Sequence, residues 1–306
     1  MKPEGIYVPL VTPVDSEGRV DRQKLKNVIN YVVNNGADGL MPVAGTGEFV
    51  SLTAKERRIA VEVCVEHTNG TIPIFPGVIP PGLGDAIQAG KDFKKIGVNG
   101  IMVLTPYYSS VASQNDVIDY FLRIIDKVDL PIMVENLPSR TAVNILPSTF
   151  EKLAEKTEKF VSIKECVVDP IQFSREIKDL GGRITVLCGM ESMMTTAFLL
   201  GSPGGVIATA NLFPQLYKVL LENANKGNLA EVLELHYDFI LPLSEIIYKE
   251  PNPGPMKSAL KYLGVESGAP VLPVKTPSTK LETILWPILD HLSGRFGQDK
   301  GIYTAG

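Results

Sequence analysis

Along the chain, apolar runs too brief to be helices alternate with longer segments whose apolar residues return every three or four positions. That alternation predicts strand–helix units wrapped around a parallel sheet. Strands are expected at Ile6–Leu10, Leu40–Val43, Ile72–Phe75, Ile101–Leu104, Ile132–Val134, Phe160–Ile163, Thr185–Leu187 and Gly205–Ile207. Eight strands, each followed by a helical pattern, match a closed (β/α)8 TIM barrel. In the first helical segment Leu25, Val28, Ile29, Val32 and Val33 form one apolar stripe, and Gly36 supplies a left-handed stop. The second opens with Thr53-Ala-Lys-Glu56, a capping-box pattern, before Ile59, Ala60, Val63 and Cys64. Gly36-Ala-Asp-Gly39 and Gly97-Val-Asn-Gly100 repeat the same junction, a helix stop leading into a buried strand.

Beyond residue 211 the strand pattern ceases, and helical periodicity covers Leu229–Tyr248, Pro255–Leu263 and Lys280–Leu292. The expected organisation is a catalytic barrel over 1–223 and a helical region over 224–306. Pro251-Asn-Pro-Gly-Pro255 reads as a rigid break between two helices rather than a flexible linker.

Composition adds exclusions more than assignments. The 306 residues carry 44% hydrophobic and 21% charged side chains, with 27 Gly and 23 Pro, an ordinary globular balance. A net charge of −4 lacks the basic footprint that neutralises phosphates, so no nucleic-acid partner is expected. Cys64, Cys166 and Cys188 form no CxxC pair, which fits a reducing compartment. Neither a signal peptide nor a run long enough for a membrane span is evident, so the expected location is the cytoplasm. His67, His236 and His291 stand far apart, no metal-ligand spacing occurs, and no cofactor is called for. Gly82-Leu-Gly84 lacks the third glycine of a dinucleotide fingerprint and any Walker lysine.

Active sites of parallel barrels form at the C-terminal ends of the strands, so polar residues just past each apolar run are the candidates. The second strand leads into Ala44-Gly45-Thr46-Gly47-Glu48, whose amides could cradle an anion. The fourth leads into Thr105-Pro106-Tyr107-Tyr108, and the fifth into Glu135-Asn136-Leu137-Pro138-Ser139-Arg140. The sixth ends in Ser162-Ile163-Lys164-Glu165. A lysine desolvated at a barrel mouth loses its charge readily and becomes a nucleophile toward ketones. Each motif alone also has a plainer reading: Lys164 reaching solvent or paired with Glu165, the glycines as a tight turn, the tyrosines as packing, Arg140 in a surface ion pair. Their joint placement after successive strands favours a site.

These motifs, together with Asn-x-Pro-Ser-Arg-Thr at 136–141 and Gly-Val-Ile-Ala-Thr-Ala-Asn at 205–211, resemble the dihydrodipicolinate synthase and N-acetylneuraminate lyase family through nearly the whole chain, including Asn252-Pro253 and Lys257. The resemblance implies a homotetramer or homodimer and a Schiff base between Lys164 and a 2-oxo acid of the pyruvate type. It further implies that Thr46 and the Gly47 backbone hold the substrate carboxylate, that Arg140 and Ile207 help bind substrate, and that Tyr108 reaches a neighbouring subunit's site.

Two positions depart from the family pattern. Glu135 replaces the usual tyrosine before Asn-x-Pro-Ser-Arg, and Gly45 replaces the first hydroxyl of the Thr-Thr or Ser-Thr pair. The hydroxyl proton relay is broken at both. A carboxylate is already a base at neutral pH, whereas a phenol of pKa about 10 is a reluctant acid outside a relay. The plainer reading of Glu135 is a carboxylate locked to Lys164 or Arg140, since buried charges need partners. As a proton shuttle it serves either condensation or cleavage of a pyruvate-type acid or dehydration of a 3-deoxy-2-oxo sugar acid, and the competing class is an impaired barrel that only binds a 2-oxo acid. Gly-Thr-Gly-Glu-Phe at 45–49 also resembles the loop of the family's sugar-acid dehydratases.

Overall fold

A computed structural model of the chain describes residues 2–108 and 113–297. Its strands are β1 (Gly5–Val8), β2 (Gly39–Leu40), β3 (Gly77–Val78), β4 (Ile101–Leu104), β5 (Ile132–Asn136), β6 (Phe160–Glu165), β7 (Thr185–Cys188) and β8 (Gly204–Val206). All pair in parallel in the order β2-β1-β8-β7-β6-β5-β4-β3. The remaining gap, β2 to β3, is spanned by the parallel bridge Leu40↔Ile74 and by Gly77 N–H donating to Pro42. The result is the (β/α)8 barrel.

Two differences from the sequence expectation have local causes. The third strand, expected at Ile72–Phe75, registers as a ladder only at Gly77–Val78, because Pro73 and Pro76 have no N–H to donate. Strands five and six run two residues longer than their apolar runs, so Glu135, Asn136, Lys164 and Glu165 belong to the sheet. Apolarity marks where a strand is buried, and pairing continues past it when the polar side chains find partners.

The barrel helices are α1 (Arg22–Asn34), α2 (Ala54–Thr68), α3 (Leu83–Ile96), α4 (Gln114–Val128), α5 (Pro138–Thr141), α6 (Pro147–Lys156), α7 (Pro170–Leu180), α8 (Met194–Leu199) and α9 (Pro214–Lys226). Gly36 and Gly97 take φ of +98° and +96°, the left-handed stops that end α1 and α3. The capping box of α2 is half formed: Thr53 accepts from the Glu56 N–H, but the Glu56 carboxylate accepts from Val20 N–H at 2.7 Å. Then come α10 (Leu229–Leu235), a π-helical turn at His236–Ile240, α11 (Leu241–Ile247), α12 (Gly254–Tyr262) and α13 (Thr279–Phe296). α9 runs across position 223, and Leu235, Leu243, Leu260 and Leu289 bury into the same apolar cluster as Ile6 and Ile163 of the strands.

Two apolar layers result. Ile101, Val103, Ile132, Val134, Ile163 and Val186 face the helices, while Tyr7, Met102, Met133, Val161, Leu187 and Val206 fill the barrel interior. Alternation along β5 and β6 then sets which polar residues point inward: Glu135 lies two beyond interior Met133, and Lys164 follows helix-facing Ile163. No helix among the described residues is long and apolar enough to cross a membrane.

Candidate active site

Glu135 and Lys164 are direct cross-strand partners in the β5–β6 ladder. Lys164 Nζ lies 2.6 Å from Glu135 Oε1, with both side chains nearly sealed from solvent at 10% and 4% exposure. Burial disfavours the Lys164 ammonium, but the surrounding acidic groups, Glu135 foremost with Cys166 and Glu191, together outweigh it, and the lysine is held above its ordinary range. At rest this is a buried ion pair. Glu165, the neighbour the sequence offered as a partner for Lys164, faces the other way. Its carboxylate accepts from Val167 N–H at 2.7 Å and from Asn136 Nδ2 at 3.0 Å.

The wall beside Lys164 is Gly189, just past β7. A Cβ there would sit 2.4 Å from Cys166 Sγ and 2.9 Å from Lys164 Cγ, so only glycine leaves room for the lysine stem. The position was not singled out in the sequence, where one glycine after a strand carries no distinctive signal.

The loop after β2 is strained and tightly held. Val43 and Glu48 take φ of 50° and 62°, conformations costly for side-chain-bearing residues and persistent only when surroundings enforce them. The enforcement comes from the C-terminal region. Glu48 forms a fully buried ion pair with Lys257 at 2.6 Å, and its other oxygen accepts from Val271 N–H at 2.6 Å. Lys257 donates also to the carbonyls of Thr12 at 2.8 Å and Ala269 at 3.0 Å, using all three of its protons. Burial pushes Glu48 up and Lys257 down, toward neutrality, and these contacts hold the charges against it. Gly47 is required by packing, since a Cβ would meet Val43 N at 2.7 Å and Leu10 O at 2.8 Å. Gly45 has open space where a side chain would be. Thr46 is buried, and its Oγ1 accepts from Asn252 Nδ2 at 3.1 Å. Asn252 entered the sequence reading only as part of a resemblance.

Of the other candidates, Ile207 is buried directly after β8, its N–H donating to Tyr7 O at 3.2 Å. Arg140 sits exposed on α5, and Tyr108 is 90% exposed. Among the described residues neither bonds to Lys164, Glu135 or Thr46. Glu191, beyond β7, is a further buried carboxylate that sequence reasoning missed. It accepts from Thr209 N–H and Oγ1, each at 3.1 Å, and from Tyr248 OH at 2.8 Å. Among the described residues no group of three or more His, Cys, Asp or Glu is arranged to hold a metal ion. A hollow of about 810 Å³ lies at the opposite end, by Lys2, Thr157, Phe160 and Arg183. That is the barrel face concerned with stability, whereas the Lys164–Glu135 pair occupies the end where barrel enzymes do chemistry.

A buried amine and carboxylate in contact can exchange a proton without separating charge, which makes the amine a nucleophile and the carboxyl an acid in one step. The sequence profile of the dihydrodipicolinate synthetase family matches residues 2–290. A 4-hydroxy-tetrahydrodipicolinate synthase from Methanococcus maripaludis strain C6 is 33% identical over 271 residues, 89% of this chain and 92% of that protein. The crystal structure of dihydrodipicolinate synthase from Aquifex aeolicus superposes with a TM-score of 0.89 at 31% identity, covering 95% of this chain and 98% of that one. A prophage protein of the same family from E. coli K12, solved in complex with pyruvate, gives 0.88 at 26% identity over 95% of this chain and 98% of its own. With family, fold and strand-end chemistry in agreement, the chain belongs to the dihydrodipicolinate synthetase family and is an imine-forming lyase on a (β/α)8 barrel.

Proposed function

We propose that this enzyme condenses or cleaves pyruvate-type 2-oxo acids through an imine on Lys164, with Glu135 as its proton shuttle. The observation that carries this reading is the 2.6 Å contact between Lys164 Nζ and Glu135 Oε1 inside the barrel mouth. Glu135 takes the ammonium proton, and the neutral amine attacks C2 of the 2-oxo acid. The carboxylic acid so formed protonates the departing hydroxyl, which leaves as water, and the protonated imine remains on Lys164. The Glu135 carboxylate then removes a proton from C3, and the electron pair moves into the imine to give an enamine. Attack of that enamine on a carbonyl forms the carbon–carbon bond, and the reverse sequence cleaves it. Thr46 and the Gly47 amide bind the substrate carboxylate, with Arg140 and Ile207 lining the approach. Tyr108, 90% exposed in one chain, is the residue this reading assigns to a neighbouring protomer's site in a homodimer or homotetramer.

A second reading rests on the same carboxylate. Having deprotonated C3, Glu135 is an acid able to protonate a hydroxyl leaving from C4, so dehydration of a 3-deoxy-2-oxo sugar acid uses identical groups. The loop Gly-Thr-Gly-Glu-Phe at 45–49, which resembles that of the family's sugar-acid dehydratases, supports this reading.

Borohydride reduction in the presence of pyruvate, followed by peptide mapping, tests the shared core. A reduced adduct on Lys164 is the expected result. Absence of any adduct across a panel of 2-oxo acids, or attachment to a different lysine, overturns the assignment. Assaying 3-deoxy-2-oxo sugar acids for pyruvate release against water loss then separates the two readings.

A further inference from the structure

We infer that Asn252, supplied by the C-terminal helical region, is a positioning residue that presets the Thr46 hydroxyl as a hydrogen-bond donor toward the substrate carboxylate. The inference rests on the reading of Thr46 as a carboxylate ligand and identifies what makes it one. A threonine hydroxyl has one proton and two acceptor lone pairs, so its polarity depends on its neighbours. Here Asn252 Nδ2 donates to Thr46 Oγ1 at 3.1 Å, which occupies a lone pair and leaves the proton to be given elsewhere. Among the described residues no protein group accepts that proton. Thr46 is buried at the strand end next to Gly47, and an arriving carboxylate is an acceptor only. A hydroxyl already turned into a donor needs no reorientation when the anion arrives, which is the preorganisation that strengthens binding.

Asn252 can perform this task because its own segment is fixed. Pro251 and Pro253 flank it, the Gly254 N–H donates to Pro251 O at 3.0 Å, and the Lys257 N–H donates to Pro253 O at 2.9 Å. Lys257 is the same residue whose ammonium holds Glu48, two positions past Thr46. Upstream, Tyr248 OH is bonded to Glu191 on the loop after β7. The stretch 248–257 is thus stapled to the barrel mouth on both sides of Asn252, and the Asn252 amide meets Thr46 at a set distance and angle. Residues 206 apart in sequence are thereby made into one binding device.

The test measures the pyruvate concentration that half-saturates borohydride trapping on Lys164 in the wild type, Asn252→Ala, Thr46→Val and the double variant. Asn252→Ala is expected to raise it about fivefold, the order of a lost neutral hydrogen bond of about 1 kcal/mol. The maximal trapping rate should change little. On the Thr46→Val background, where no hydroxyl remains to be oriented, the Asn252→Ala change should be under about twofold. Asn252→Asp keeps the shape but offers only acceptors and turns the Thr46 proton away, so its effect should exceed that of alanine and shrink to a charge contribution once Thr46 is valine. Fluorescence of the single Trp286 during thermal melting verifies that each variant is folded. Multiplicative losses in the double variant, or an Asn252→Ala protein that binds pyruvate as tightly as the wild type, overturn the inference. A wild type that forms no adduct on Lys164 overturns the underlying reading instead.

Discussion

Glu135 and Lys164 show how a single side-chain exchange alters the chemistry a site can perform. A phenol at this place would pass protons through neighbouring hydroxyls, but a carboxylate 2.6 Å from the amine exchanges a proton with it directly. The consequence is separable in kinetics. In Glu135→Gln the amide keeps the shape, and the lysine loses the charge that now holds it protonated, so imine formation should survive in part. Chemistry at C3 has then lost its base and should slow about 10²-fold or more, the usual size of a general-acid/base contribution. Single-turnover trapping compared with exchange of C3 protons into deuterated water measures both steps, and equal rates at C3 would remove Glu135 from the mechanism. Lys164 was legible from sequence because an apolar run ends in it. For its partner the sequence offered both Glu165 and Glu135, and only the strand register chooses: Glu165, adjacent in sequence, points to the opposite face of β6, while Glu135 lies directly across from Lys164.

At the level of secondary-structure units, the loop after β2 depends on a helix far downstream. The strained backbone at Val43 and Glu48 persists because α12 places Lys257 against the Glu48 carboxylate. Removing one partner of a buried pair leaves the other uncompensated, so Lys257→Ala should cost about 3–5 kcal/mol of stability. Replacing both together, with Glu48→Gln and Lys257→Met, should cost less than the single change. Urea unfolding of the three proteins checks this, and a Lys257→Ala protein of wild-type stability would show that the pair does not hold the loop. The glycines and the capping threonine of these units were readable because their roles are local. The half-formed capping box was not, because the Glu56 carboxylate is drawn to the Val20 N–H, a contact that exists only after the chain has closed on itself.

Across the molecule as a whole, the buried carboxyls behind the site make stability depend on pH. Burial, reinforced by the Glu165 charge, pushes Glu176 up to about 10, so the folded protein keeps a proton there at neutrality. An unfolded glutamate releases it near pH 4.5. Between those values the unfolded chain binds fewer protons than the folded one, and folding stability therefore falls as pH rises from about 4.5 to about 10. The limiting slope for one proton is about 1.4 kcal/mol per pH unit. Glu176→Gln supplies a neutral isostere and removes this slope, so its stability relative to the wild type should grow as pH rises. Denaturant titrations at several pH values test this, and parallel curves for the two proteins would show that Glu176 is not the protonated group. The burial that produces this behaviour follows from closure of the barrel, whose architecture was itself plain in the chain. The alternation of short apolar runs with helical periodicity is a local property of the chain, and it announced eight strands, their helices and the polar residues at the strand ends. Which of those residues meet is a matter of register between strands and of packing between distant segments. Glu135 reaches Lys164 only because β5 and β6 pair in one alignment, and Asn252 reaches Thr46 only because the C-terminal helices fold back over the barrel mouth. No local periodicity encodes either contact, since both follow from how the whole chain closes.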